Sequence, residues 1–291
     1  MKKLSIFIVI VATFVLSFHA MATEYHIGRY GMDDFQTSGN NISITGKAGT
    51  QYKIETYKFE NNTWRSYMDM DIYHIEKRTD WPVHHVRSHG NLLMSNGEDA
   101  SALVFERVGT VWSLIDTLEA PQLELDGTFF RTMDMTEDWL IAGGSGSALI
   151  FYRSGDEFYQ CVRLAPPEFD SSFGDTVTLS GDFAFVGASH AEVDGNLAAG
   201  AVYVYHKDEG GLENWGLVQV ITMENPVSWT KFGMELAVDD EWLVISAPED
   251  SSAGRLSGSV SIYRFTGDNW EFNTHLLPPD IQEKDFFGSA V

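Results

Sequence analysis

The sequence predicts an all-β protein of the β-propeller class, built from four-stranded blades. A Phe-Gly pair recurs at intervals of 59 and 55 residues, as Phe173-Gly174, Phe232-Gly233 and Phe287-Gly288. Each of the first two pairs precedes the same series of short runs of β-branched and aromatic residues, separated by Gly, Asp and Asn. A period of this length with several strands per unit is typical of a propeller, whose sheets are arranged around an axis.

The N-terminal segment, residues 1–22, is predicted to be a secretory signal peptide. Lys2 and Lys3 precede an apolar run that reaches about Phe18, and Ala20-Met21-Ala22 has the form of a cleavage site. The alternative is a membrane anchor, but the apolar run is shorter than the ~20 residues that a spanning helix needs. We therefore expect a secreted, periplasmic or cell-surface protein with no membrane span after cleavage.

The charge and cysteine content of the chain exclude some classes of binding partner and one means of stabilisation. The formal net charge is −23, from 42 acidic and 19 basic residues, which disfavours nucleic acids and anionic lipid surfaces. Cys161 is the single cysteine, so no intrachain disulfide can form. Stability must come from burial of the 44% of residues that are hydrophobic.

The repeat extends towards the N-terminus in weaker form. A large aromatic residue is predicted to open the fourth strand of each unit; these residues are Trp64, Trp112, Phe158, Trp215 and Trp270. We predict an N-terminal arm at 23–34 and an incomplete propeller at 35–291. The predicted blades are 35–75, 82–120, 128–168, 172–224 and 231–279, with the start of a sixth at 286–291. Because the last Phe-Gly pair lies so near Val291, we expect a truncated or fragmentary chain.

The unit that begins at Phe173 shows the pattern in order. Short strands are predicted at 176–179, 183–186, 201–205 and 217–221. Inner strands read as continuous apolar runs because neighbouring blades cover both of their faces, whereas outer strands alternate apolar and polar residues. The glycine beside each landmark Phe is expected to let neighbouring backbone approach closely near the axis. The predicted structural residues of the repeat are thus the three Phe-Gly pairs, Phe173-Gly174, Phe232-Gly233 and Phe287-Gly288.

These motifs resemble those of the FG-GAP repeat family, which includes the N-terminal propeller of integrin α chains. The motifs that carry the resemblance are the Phe-Gly pairs, Val-Gly-Ala-Ser at 186–189, Ile-Ser-Ala-Pro at 245–248 and Gly-Ala-Val-Tyr-Val-Tyr at 200–205. The match is good over residues 172–291, partial over 128–168 and limited to strand pattern over 35–120. The resemblance implies seven blades, of which about five and the start of a sixth are present.

The resemblance also implies calcium, which many family members hold in a loop between the first two strands. Here that connection is as short as Ser180-Gly181-Asp182 or Asp239-Asp240-Glu241. Such a turn cannot wrap a cation that takes 6–8 oxygen ligands. We expect no metal and no other cofactor.

The connections between second and third strands are the predicted recognition elements. They are long at 189–199 and 248–257, and long loops on a rigid scaffold commonly carry recognition. The candidate ligand-binding residues are His190, Glu192, Asp194, Glu249, Asp250 and Arg255, although solvated loop tips without a ligand are an alternative for each.

The sequence favours a non-enzymatic scaffold that serves binding or adhesion to a protein or glycan at the cell surface. It lacks a G-x-S-x-G nucleophile elbow and an H-E-x-x-H zinc motif. The first alternative is a polysaccharide hydrolase or lyase with catalytic groups from several blades in the central funnel, a convergence that sequence cannot reveal. The second alternative is a gene remnant with no stable product.

Overall fold

The structure, a computed structural model, describes part of the chain in full and part as backbone. Residues 86–96, 101–109, 111–120, 129–144, 146–278, 280 and 282–291 are described, together with the backbone of residues 31–38, 41–48, 51–60 and 63–71. The predicted signal peptide at 1–22 lies outside these ranges.

Twenty strands form five antiparallel sheets, and strand order within each sheet follows the chain. Blade 1 comprises β1 (Gly31–Ser38), β2 (Asn41–Ala48), β3 (Gln51–Glu60) and β4 (Thr63–Asp71). Blade 2 comprises β5 (Val86–His89), β6 (Leu92–Asn96), β7 (Ser101–Val108) and β8 (Val111–Glu119). Blade 3 comprises β9 (Thr132–Met135), β10 (Trp139–Gly144), β11 (Ser147–Ser154) and β12 (Glu157–Leu164). Blade 4 comprises β13 (Phe173–Ser180), β14 (Phe183–Ala188), β15 (Ala201–His206) and β16 (Gly216–Ile221). Blade 5 comprises β17 (Leu236–Asp239), β18 (Trp242–Ala247), β19 (Ser259–Phe265) and β20 (Trp270–Leu276).

The prediction of an all-β propeller with five four-stranded blades is confirmed. One boundary differs, because β1 begins at Gly31, inside the segment predicted as an N-terminal arm. The chain after blade 5 returns to it, since Phe287 forms a parallel bridge with Gly258. This contact lies in the segment predicted to start a sixth blade.

The first strands of the blades lie side by side in chain order. β1 packs against β5, β5 against β9, β9 against β13, and β13 against β17. Successive sheets therefore meet along their first strands, as sheets around a common axis must. Apolar clusters fill the spaces between blades 2 and 3, 3 and 4, and 4 and 5.

A β-bulge occurs at the same place in every blade, between the third and fourth strands. The bulge follows the third-strand residues Thr56, Val104, Ile150, Val204 and Ile262. In each case the next residue is aromatic. A bulge increases local twist, so a common bulge gives the five blades a common curvature.

The landmark glycine allows one blade to approach the backbone of the blade before it. A Cβ at Gly174 would lie 2.5 Å from the Ser147 carbonyl oxygen, and one at Gly233 would lie 2.8 Å from that of Ala201. Both contacted residues begin the third strand of the preceding blade. The φ angles at Gly174 and Gly233 are +96° and +84°, a region that favours glycine. Space and backbone conformation therefore both require glycine at this position.

The third landmark pair makes the same approach at the end of the chain. A Cβ at Gly288 would lie 2.9 Å from the carbonyl oxygen of Ser259, which begins the third strand of blade 5, and the φ angle of Gly288 is +90°. Gly288 is buried, but Phe287 is only half-buried, whereas Phe173 and Phe232 are fully buried. Within the described residues 286–291 the pair forms the bridge at Phe287 and no strand. Gly288 therefore has the backbone role expected of the landmark without the first strand of a further blade.

Side chains of one inner strand also bond to the next. The Thr132 hydroxyl accepts a hydrogen bond from the Val177 amide over 3.0 Å. One Asp134 carboxylate oxygen accepts from the Leu179 amide and the Thr178 hydroxyl, over 2.8 and 2.7 Å. These bonds connect β9 to β13 near the axis, where the strands of different blades cannot form a continuous ladder.

Candidate functional site

The connections between strands emerge on two opposite faces of the propeller. Because the strands are antiparallel, loops from second to third strands share a face with the connections between blades. We call this the loop face. It carries residues 189–200 from blade 4 and 248–258 from blade 5. The connections from third to fourth strands, such as residues 207–215 and 266–269, lie on the opposite face.

The long loops are joined to the next segment of the propeller by backbone hydrogen bonds. Three amides of residues 229–232 donate to the carbonyl oxygens of residues 197–199, over 2.8 to 3.1 Å. Three amides of residues 284–287 donate to the carbonyl oxygens of residues 255–257, over 2.9 to 3.1 Å. We call each set an inter-blade ladder, although the second joins blade 5 to the C-terminal segment and not to a further described blade. The ladders fix the C-terminal half of each long loop on the scaffold.

The two ladders have the same unusual backbone. Ala198 and Leu256, at equivalent positions, have φ angles of +51° and +52°. Trp229 and Lys284, their counterparts across the ladders, have φ angles of +69° and +67°. Non-glycine residues occupy this left-handed region at a cost of about 1–2 kcal/mol each. Its recurrence shows that blade packing dictates the backbone here, whatever the side chain.

The outward side chains of the ladders differ. Leu197 and Trp229 are 54% and 57% exposed on the first ladder. Their equivalents on the second ladder, Arg255 and Lys284, are exposed and basic. Since the backbone is shared and the side chains are not, the fold does not account for an exposed indole at this place.

The first long loop carries three predicted ligand-binding residues. Glu192 and Asp194 are exposed at its tip. His190, at its start, has a half-exposed side chain whose Nδ1 lies 3.0 Å from the Ser189 hydroxyl and 3.6 Å from an Asp175 carboxylate oxygen. The structure thus brings His190 to a polar group on the innermost strand and leaves Glu192 and Asp194 in solvent.

The second long loop holds the other three candidates in different surroundings. Glu249 forms an ion pair with Lys231 over 2.7 Å. Asp250 is buried and accepts hydrogen bonds from the Ser252 amide and hydroxyl, over 2.8 and 2.9 Å. Arg255 is exposed. The side chain of Asp250 therefore shapes the loop, while that of Arg255 is exposed to solvent.

Sequence reasoning did not single out Trp229, Leu197, Ser189 or Asp175. A signal for Trp229 existed, because it stands three residues before the Phe232-Gly233 landmark, on the connection between blades. Leu197 becomes visible only through the hydrogen bond that it accepts from the Trp229 amide, and Ser189 and Asp175 only when strand pairing is known. Phe173 pairs with Ala188, which brings the residues that follow each of them together.

The thiol of Cys161 is not an activated nucleophile. Although the residue as a whole is exposed, desolvation of its sulfur raises the pKa of the thiol to about 11. The Sγ also donates to the Ile150 carbonyl oxygen over 3.3 Å. At neutral pH the group is protonated and therefore a weak nucleophile.

The described residues contain no group of three or more His, Cys, Asp or Glu side chains placed to hold a metal ion. No helix in the described part of the chain is long and apolar enough to cross a membrane.

No protein-family model and no curated protein matches the chain. Solved structures do match it. Two Bacteroides proteins provisionally named 6-phosphogluconolactonase, from B. uniformis and B. fragilis, are each 13% identical, with TM-scores of 0.56 and 0.54. They are covered over 71% and 69% of their length, and each match spans 84% of this chain. A chain of a mitotic checkpoint complex is 10% identical with a TM-score of 0.56, covering 87% of this chain and 67% of that one. These are propeller folds, and at such identities the likeness establishes the fold alone.

The expectation that the protein is not an enzyme is contradicted by these comparisons. 6-Phosphogluconolactonases are hydrolases, and the same fold is found in proteins given that name. The expectation rested on missing local motifs, but a propeller assembles a site from residues on separate strands and loops. The absence of a contiguous motif was therefore weak grounds for it.

Proposed function

We propose that this chain is an exported β-propeller of the FG-GAP type whose loop face binds a protein or glycan partner. Export rests on the N-terminal sequence, and the FG-GAP assignment rests on the Phe-Gly repeats. The single observation that carries the binding role is the exposed pair Leu197 and Trp229, held across an N–H···O bond of 2.8 Å between blades 4 and 5.

The chemistry of this surface suits recognition. An exposed indole offers a large, rigid contact area at low entropic cost, and Trp is enriched among residues that dominate binding energies. The inter-blade ladder holds Leu197 and Trp229 before a partner arrives, so little ordering is needed on binding. Glu192 and Asp194 on the blade 4 loop and Arg255 on the blade 5 loop place exposed charges of both signs on the same face.

The test compares two loop-face substitutions with a control on the opposite face. Leu212 is 87% exposed in the connection 207–215 and is the matched control. The purified wild-type chain, Leu197→Ala/Trp229→Ala and Leu212→Ala are applied to a glycan array and to immobilised cell-surface proteins. The loop-face variant should lose about 30-fold or more in affinity for the bound partner, as a hot spot of ~2 kcal/mol requires. Equal binding by all three chains would refute the proposal, as would no binding by any of them.

A hydrolase is the second candidate. The observation in its favour is the fold shared with the two Bacteroides proteins provisionally named 6-phosphogluconolactonase. The discriminating measurement is turnover of δ-gluconolactone or its 6-phosphate by the purified chain, followed as acid release above the spontaneous rate. Turnover without partner binding would favour the enzyme.

A further inference from the structure

Three polar side chains on the loop face of blade 4 form a chain of hydrogen bonds, here called the polar relay, that blade 5 does not contain. The relay consists of Asp175, Ser189 and His190. The Ser189 hydroxyl lies 2.6 Å from an Asp175 carboxylate oxygen and 3.0 Å from His190 Nδ1. Ser189 is 2% exposed, so its hydroxyl is shielded from water.

The number of available hydrogen-bond donors and acceptors determines which nitrogen of the neutral His190 imidazole carries the proton. A serine hydroxyl has one proton to donate, and the carboxylate of Asp175 can only accept. The Ser189 hydroxyl therefore donates its hydrogen to Asp175 in the 2.6 Å bond. The serine oxygen must then accept a hydrogen bond from His190 Nδ1–H. The neutral imidazole is then protonated on Nδ1, and its Nε2 carries the lone pair. Nε2 forms no hydrogen bond with any residue that the structure describes, and the side chain is 52% exposed.

The histidine is also held from its backbone. The His190 amide donates to the Ser172 hydroxyl over 3.0 Å, and Ser172 donates from its own hydroxyl and amide to Asp170, over 2.7 and 2.8 Å. These bonds fix the start of the loop. They leave Nε2 as the ring nitrogen without a hydrogen bond to the described residues, on a side chain that is 52% exposed.

Blade 5 shows that folding does not require the relay. The residues equivalent to Asp175, Ser189 and His190 are Met234, Pro248 and Glu249. None of them can form the same chain of hydrogen bonds, yet β17 and β18 pair as β13 and β14 do. A feature present in one blade and dispensable in its neighbour calls for a reason other than stability.

We propose that His190 is the general base of a hydrolytic site for uncharged carboxylic esters and lactones. This gives the enzymatic alternative a specific group and does not depend on partner binding. An imidazole whose Nδ1–H is bonded towards a carboxylate is the arrangement by which enzymes present Nε2 as a base. Here the serine is interposed between imidazole and carboxylate, so Ser189 positions His190 and is not the nucleophile.

The step balances with water as the only co-reactant. Nε2 takes a proton from water as the water oxygen forms a bond to the acyl carbon. The bond from that carbon to the alcohol oxygen then breaks, and the leaving oxygen takes the proton from the imidazolium. The products are one carboxylic acid and one alcohol, or one hydroxy acid from a lactone. Asp175 stabilises the imidazolium from 3.6 Å.

The negative charge around His190 favours uncharged over anionic ester substrates. Asp170 and Asp175 lie within the hydrogen-bonded group, and the chain as a whole has a formal charge of −23. Lys231, the residue equivalent to Ser172 in blade 5, is already paired with Glu249. Arg131, which holds the position of Asp175 in blade 3, has an interaction of its own. An anionic substrate would be repelled, so an uncharged one is favoured.

The first experiment measures hydrolysis of p-nitrophenyl acetate and δ-valerolactone by the purified chain. The rate above background should fall about 100-fold in His190→Gln, since general-base catalysis accelerates a reaction ~10²–10⁴-fold. Asp175→Asn and Ser189→Ala should lose part of it and change its pH profile. His206→Gln, on the opposite face, is the control and should keep the wild-type rate. An anionic ester, p-nitrophenyl succinate, should react more slowly than the acetate.

The second experiment reads the relay without turnover. Nitrogen-15 NMR of the imidazoles should show His190 protonated on Nδ1, and Ser189→Ala should shift it towards the Nε2–H form. A wild-type chain that hydrolyses neither probe, or a His190→Gln variant as active as wild type, would overturn the proposal, as would an Nε2–H tautomer in the wild type. Partner binding that survives His190→Gln would show that the two roles are separate.

Discussion

Alanine at Gly233 is expected to destabilise the propeller through one contact between blades. A Cβ there would lie 2.8 Å from the Ala201 carbonyl oxygen and 2.9 Å from Val202 Cγ2. Both atoms belong to β15 in the preceding blade, and neither the backbone nor a buried valine can move aside freely. The φ angle of +84° adds a second cost, because alanine disfavours left-handed backbone.

Gly181 offers a matched control for the backbone term. Its φ angle is +56°, and a Cβ there would meet no atom within 4 Å. Gly181→Ala should therefore cost about 1 kcal/mol, for conformation alone. Gly233→Ala carries a similar term and adds about 1–3 kcal/mol of overpacking, for a total of about 2–4 kcal/mol.

The assay is urea unfolding of the wild-type chain and both variants, followed by tryptophan fluorescence and far-UV circular dichroism. At ~2–4 °C per kcal/mol for large domains, the extra ~1–3 kcal/mol should make the Gly233 variant melt about 2–12 °C below the Gly181 variant. If the two variants lose the same stability within ~0.5 kcal/mol, the close approach between blades 4 and 5 is not a determinant of packing.

Buried and half-buried polar groups give three further predictions. Burial raises the pKa of Tyr263 to about 12 and also raises that of Tyr205. Since the unfolded chain releases these protons near pH 10, stability should be retained below pH 10 and fall between pH 10 and 12. Tyr263→Phe should show a shallower fall in alkaline urea titrations, and an unchanged slope would contradict this. The Gln219 side chain forms two hydrogen bonds of 2.9 Å with the backbone of Trp270 in the next blade. Gln219→Ala should therefore lower the free energy of unfolding by about 1–2 kcal/mol. An unchanged free energy would show that these bonds do not stabilise the contact between blades 4 and 5. Asp250→Ala should expose residues 251–256 to limited proteolysis while Asp194→Ala should not, and equal cleavage rates would show that Asp250 does not shape the loop.

The fold was accessible from sequence because its determinants recur along the chain. Gly174, Gly233 and Gly288 each stand beside a landmark Phe, and the close backbone approach expected of them is what the structure shows. The aromatic residues predicted to open fourth strands lie within one residue of the starts of β4, β8, β12, β16 and β20. A repeated environment selects the same residue type each time, so the pattern can be read without coordinates.

The candidate site was harder to predict from the sequence because the residues that form it do not recur in each blade. His190 was singled out, but its partner Asp175 lies 15 residues earlier and meets it only through the pairing of β13 with β14. Asp250 was expected to face a ligand, yet it is buried within its own loop, since a carboxylate near a run of serines can satisfy backbone amides as readily as it binds a partner. The left-handed backbone at Trp229 could not be predicted from the sequence, because its equivalent with the same backbone conformation, Lys284, is a different residue type.

The inter-blade ladders are the feature on which both the blade arrangement and the loop face depend. Hydrogen–deuterium exchange of the native chain measures them directly. The amides of Lys231 and Phe232, from the connection between blades 4 and 5, and of Phe287, from the C-terminal segment, donate to the long loops and should exchange slowly. Peptides covering the exposed turn at 209–213 should exchange much faster. Fast exchange at 229–232 and 284–287, equal to that of 209–213, would contradict the radial packing and the rigid loop face derived from it.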